Sequence, residues 1–150
     1  MRRIFALVSA VLIAGCLLSC DEDKDNYIDG AVKDSFNISF KGVRARLFSS
    51  ELSIEYFRNE TEVALRITVD VSAGLAAGKT YDLLTEGAIT RDEVFGNLPE
   101  LKSGTVTLDK FTEKGGSEIS GSFDAIFVTD KGNEQGLFGG FLTELEVVPL

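Results

Sequence analysis

From Val63 to Val71 the chain alternates in character almost residue by residue. Val63, Leu65, Ile67, Val69 and Val71 are separated by Ala64, Arg66, Thr68 and Asp70. Successive side chains of a strand leave on opposite faces, so this pattern buries one face and wets the other. A helix would scatter the same apolar residues around its circumference. The alternation recurs in Leu52, Ile54 and Tyr56 between Glu51, Ser53 and Glu55, and in Val43, Ala45 and Leu47 around Arg44 and Arg46. Phe36 to Phe40 (FNISF) alternates too, and Thr80 to Leu84 reads as a short strand after the loop Ala73 to Lys79. The last third repeats the pattern over Gly104–Phe111, Glu118–Val128 and Leu137–Val148.

Turn signals punctuate these runs at Ser49-Ser50, Asn59-Glu60-Thr61, Glu113 to Gly116 and Asp130 to Gly136. In the less regular middle, Thr90-Arg91-Asp92-Glu93 matches a capping box. It predicts a short helix that Gly96 ends within two turns. Gly139-Gly140 inside an apolar strand marks a bulge or a close approach. The expected fold is all-β: a single antiparallel β-sandwich or partly closed barrel of about eight strands with one short helix. It spans residues 36–150.

Pairing arithmetic sharpens this. If Ser49-Ser50 is a two-residue hairpin loop, Arg44 stands opposite Glu55 and Ala45 opposite Ile54. If the next turn centres on Glu60-Thr61, Glu55 stands opposite Arg66 and Ile54 opposite Ile67. Both registers match charge with charge. Glu55 then lies between two arginines on the outer face, with Arg46 diagonal, as register-setting surface charge or as a spot for an anionic ligand. Exposed pairs of this kind contribute about 0.2 to 1 kcal/mol each.

The N-terminus reads differently. Arg2 and Arg3 precede fifteen uncharged residues, Ile4 to Leu18. A membrane span needs about twenty; this run suits the core of a signal peptide. Leu17-Leu18-Ser19-Cys20 resembles the lipobox of bacterial lipoproteins, and Ile13-Ala14-Gly15-Cys16 resembles it as well. The resemblance implies a diacylglyceryl group on the thiol, cleavage before it and acylation of the new amine. Cys20 is the preferred site, because cleavage there removes Cys16 and starts the mature chain in solvated charge. A signal peptide over 1–19 and a lipidated tether over 20–35 follow. Asp21, Glu22, Asp23, Lys24 and Asp25 resemble the acidic export signal of surface lipoproteins in Bacteroidota-type bacteria. That resemblance implies the outer membrane and display at the cell surface, with the periplasm-facing leaflet as the alternative.

The formal charge is −9, and −11 once the two charges of Arg2 and Arg3 are removed. That disfavours nucleic acid and adhesion of the protein surface to anionic lipid. The chain has no His, and beyond Cys20 no cysteine. Imidazole bases, Cys nucleophiles and Cys/His metal sites are thereby excluded. Acid pairs remain. Glu144 and Glu146 share one strand face, whereas a glycosidase needs two carboxylates across a cleft. Asp21-x-Asp23-x-Asp25 begins like a calcium loop but has Asn26 and Val32 where glycine and Glu are required. Asp130, Asn133 and Glu134 could hold a weak calcium ion, but a hairpin turn accounts for them.

Three phrases appear in order: Ala77-Gly78-Lys79-Thr80-Tyr81-Asp82-Leu83, then Ser103 to Leu108 with Lys110-Phe111, then Ile119-Ser120-Gly121-Ser122-Phe123. The chain thereby resembles small β-rich lipoproteins of Bacteroidota-type bacteria. The resemblance supports fold and localisation and carries no catalytic residue. The expected function is a non-enzymatic, membrane-anchored β domain that binds or assembles with a protein or glycan partner, without a cofactor. An internal-cavity binder of an apolar or glycan ligand is the alternative, and a carboxylate hydrolase the remote one.

Overall fold

Leu52, Ile54 and Tyr56 fall on one face of a strand and Leu65, Ile67 and Val69 on one face of the next. Each of these side chains is fully buried. In the computed structural model, which describes residues 25–149, this hairpin is the centre of one half of a barrel. The strands are β1 (Tyr27–Asp29), β2 (Gly42–Leu47), β3 (Glu51–Asn59), β4 (Glu62–Asp70), β5 (Lys79–Asp82), β6 (Gly87–Thr90), β7 (Glu100–Lys110), β8 (Glu118–Val128) and β9 (Glu134–Val147). One α-helix, α1 (Ala31–Ser35), lies between β1 and β2.

Eight strands run round a nearly closed barrel in the order β5-β7-β8-β9-β2-β3-β4-β6. The sandwich alternative is therefore set aside. Neighbours are antiparallel except β2 and β9, which pair in parallel through Ala45↔Leu145 to Leu47↔Val147. β1 uses the same edge of β9 further back, with Tyr27 opposite Gly140. The seam lies between β5 and β6. The turn joining them is tied to both sides, since Leu83 N donates to Gly104 O and Asp70 N to Glu86 O.

Both hairpin registers follow the arithmetic: Arg44↔Glu55 and Ala45↔Ile54 on one side, Glu55↔Arg66 and Ile54↔Ile67 on the other. The irregularities between Tyr56 and Asn59 fall beyond these pairs and leave the register intact. Inside, Tyr56, Tyr81, Phe123, Phe127 and Phe141 join the aliphatic residues and fill the axis. The rings of Tyr56 and Phe123 meet edge to face at 5.9 Å. Tyr56 Oη donates to Gly140 O at 2.7 Å, which gives the one polar atom of this ring a partner. Burial raises the Tyr56 phenol well above its usual range, with a smaller contribution from Tyr27.

Three expectations change, and one stated pair of alternatives is decided. The segment 20–35 is not all tether: Ile28 and Val32 are buried, and α1 packs against β9. Asn26 joins the fold through a paired contact, Nδ2 to Leu142 O at 3.1 Å and Leu142 N to Oδ1 at 2.8 Å. Phe36 to Phe40 is not a strand. Phe36 caps α1, Asn37 adopts a positive φ of 49°, and Phe40 packs edge-on against Tyr56. The capping box is not formed either. Thr90 ends β6 opposite Arg66, and only a 3-10 turn, Glu93–Phe95, follows without a side-chain cap. Finally, Gly139-Gly140 is a close approach rather than a bulge. The β8–β9 register runs through it unbroken, and a Cβ on Gly139 would lie 2.3 Å from Tyr27 O.

Candidate functional site: a carboxylate ringed by arginines

β2, β3 and β4 turn Arg44, Glu55 and Arg66 outward on one row, with Arg46 one pleat away. A strand pattern alone places such a row in solvent. Here Glu55 is 1% exposed. Arg44 Nε donates to its Oε2 at 2.6 Å, Arg66 Nε to Oε1 at 2.9 Å, and Arg46 Nη2 to both oxygens at 2.8 Å. The three guanidiniums, each about 30% exposed, form a lid over the carboxylate.

Aromatic rings hold that lid in place. The Arg44 guanidinium lies 5.2 Å from the Phe57 ring and that of Arg46 5.4 Å from Phe48. Phe57 in turn rests on Gly42, where a Cβ would come within 2.7 Å of its Cζ. Asp92 closes the far side. One oxygen accepts from Arg66 Nη2 at 3.4 Å and the other from Val63 N at 2.7 Å. The Asp92 carboxylate is thus committed to strand β4 instead of a helix start.

Burial by itself would raise the pKa of Glu55. The hydrogen bonds from Arg44, Arg46 and Arg66 outweigh it and bring the pKa down to about 2. Glu55 is therefore an anion at every physiological pH. General acid–base catalysis needs a group poised near the working pH. What the cluster offers outward is guanidinium: three cations over two carboxylates, on a chain whose formal charge is −9. All five arginines among the described residues, Arg44, Arg46, Arg58, Arg66 and Arg91, belong to this β2–β3–β4–β6 half or to the residue just after it.

The other candidates stand apart. Glu144 and Glu146 are exposed on β9, and the strand partner of Glu144 is Glu118, which Lys110 holds at 2.5 Å. Asp130 and Asn133 sit in a turn closed by Thr129 N donating to Asn133 O at 2.9 Å, and Glu134, the first residue of β9, pairs with Lys102. No three His, Cys, Asp or Glu side chains among the described residues come together as a metal cluster. Asp25 is exposed at the edge of the fold. Cys20, Asp21, Glu22, Asp23 and Lys24 lie outside the described residues.

Sequence reasoning found Glu55 and its three arginines but not Asp92, Phe48 or Phe57. The first is brought in from beyond β6, and the two rings depend on which way residues beside the turn and bulge face. No family model, no curated protein and no solved structure matches the chain.

Proposed function

We propose that this chain is a lipid-anchored outer-membrane lipoprotein, displayed at the cell surface, whose barrel binds a partner without catalysing a reaction. The lipobox-like Cys20 and the acidic run behind it support the anchor and the location. The observation that carries the binding reading is the arginine lid. A carboxylate held ionised by three guanidiniums is a support for those cations and a poor proton carrier. The surface it builds suits an acidic partner, a carboxylate- or phosphate-bearing glycan or protein, because planar guanidinium forks match such groups. An apolar or glycan guest inside the barrel would have to displace Tyr56, Tyr81, Phe123 and Phe127 from the axis.

The test is protease shaving of intact cells, with mass spectrometry of the mature N-terminus and a Cys20→Ala control. Loss of the domain from unbroken cells and lipid on Cys20 are the expected results. Protection until the outer membrane is broken would refute surface display, and an unmodified Cys20 would refute the anchor.

A further inference from the structure

The described fold leaves very little free chain between itself and Cys20. Asn26 is already fastened to Leu142 by two hydrogen bonds, and Tyr27 begins β1. Six peptide steps separate Cys20 from Asn26. Whatever their conformation, they reach at most about 20 Å. A domain of this length has a radius of gyration of about 14 Å and a diameter of about 35 Å. On the reading of Cys20 as a lipid anchor, the barrel cannot turn its β1 side away from the bilayer.

That side carries two exposed aromatic rings. Tyr27 is 43% exposed and Phe138 41%. Both point outward from β1 and β9 and are diagonal neighbours, because Tyr27 pairs with Gly140 and Asp29 with Phe138. Gly140 keeps the place for Tyr27: a Cβ there would lie 2.7 Å from Tyr27 Cε1. Acids outnumber bases around the pair. Asp29 and Asp124 both stand opposite Phe138 and Asp25 is exposed beside Tyr27, whereas Lys33 and Lys110, the latter paired with Glu118, are the bases that border Tyr27.

We infer that the outer face of β1 and β9 is the membrane-facing side of the domain, with Tyr27 and Phe138 resting in the headgroup layer of the bilayer that holds the lipid on Cys20. The tether length excludes orientations in which the β1 side faces away from the membrane, and among the rest the exposed rings single out this face, because aromatic side chains settle at such an interface. The excess of acids selects neutral or zwitterionic headgroups over anionic ones. This inference rests on the anchor proposed above. It places the arginine lid, centred on β3 two strands round from β9, to the side of the barrel and clear of the bilayer.

The chain contains no tryptophan, so one introduced indole reports its own surroundings. Tyr27→Trp, Phe138→Trp and Leu84→Trp variants of the lipidated full chain are placed in phosphatidylcholine vesicles with brominated acyl chains. Leu84 is 53% exposed in the β5–β6 turn, on the opposite side of the barrel from β9. The first two variants should lose roughly half of their fluorescence, as expected for side chains seated at the headgroup–acyl boundary, and the third should lose none. With lipid found on Cys20, equal quenching at all three positions overturns this orientation and leaves the anchor standing. Absence of lipid on Cys20 overturns the anchor and the orientation together.

Discussion

Replacing Glu55 by Gln removes one charge and almost no volume, which makes it the sharpest probe of the arginine lid. In the native protein that carboxylate accepts from three guanidiniums at 2.6 to 2.9 Å while 1% exposed. Removing one partner of a buried ion pair costs about 3 to 5 kcal/mol, because the opposite charges keep their desolvation and lose their partner. The three arginines are partly solvated, which argues for the lower end. The pH dependence is a second, independent handle. The pKa of Glu55 falls from 4.5 to about 2 on folding, a difference that corresponds to about 3 kcal/mol. A carboxylate with a depressed folded pKa contributes stability that is complete above pH 4.5 and disappears as the pH falls through about 2. Wild type should therefore exceed Glu55→Gln by about 3 kcal/mol at pH 7, and the gap should close between pH 4.5 and 2. Urea unfolding of both proteins across that range measures it, and the remaining acids cancel in the difference. A gap under about 1 kcal/mol at pH 7 would mean that the lid behaves as ordinary surface charge. A gap that ignores pH would mean that the carboxylate is not the group responsible.

Three further outcomes are expected. Gly139→Ala should destabilise by about 2 to 3 kcal/mol, since its Cβ would meet Tyr27 O and the Phe123 ring, whereas Gly136→Ala, with open space around its Cβ, should stay within about 0.5 kcal/mol in the same urea titration. Tyr56→Phe should cost about 1 to 2 kcal/mol by stranding Gly140 O, read by urea unfolding and by faster amide exchange along β9. Val32→Ala should cost about 2 kcal/mol, because α1 belongs to the core; a change under about 0.5 kcal/mol would return residues 31–35 to the tether.

What the sequence discloses depends on how local the governing physics is. The two hairpin registers were legible because they need only turn length and alternation, and Ala45, Ile54 and Ile67 on one row leave no other phase. The burial of Glu55 was not legible. Its strand period correctly puts it on the outer face, but the lid depends on three long side chains folding back over it and on Phe48 and Phe57 backing them. β1 and α1 escaped for the opposite reason. Tyr27-Ile28-Asp29 and Ala31-Val32-Lys33 are short and half polar, and they become structure only because β9, more than a hundred residues later in the chain, offers them an edge and a floor. The capping box shows a local rule losing to a distant one: its Thr90 pairs with Arg66 on β4, and Asp92 bonds Val63 and Arg66.

β9 has one more consequence, in the order of events during folding. It is the last strand of the barrel in the chain, yet β1, β2 and β8 all depend on it. The bonds that fasten it reach back 116 residues from Leu142 to Asn26 and 100 residues from Thr143 to Val43. Contacts so distant along the chain are slow to form, and barrels dominated by them fold on the millisecond-to-second scale. Until β9 emerges, the open edges of β2 and β8 are available for pairing with any other chain. A chain stopped before Glu134, where β9 begins, would not be a slightly shorter barrel. It would be a sheet with two unguarded edges and an unattached first strand, and such a fragment should aggregate where the whole chain folds.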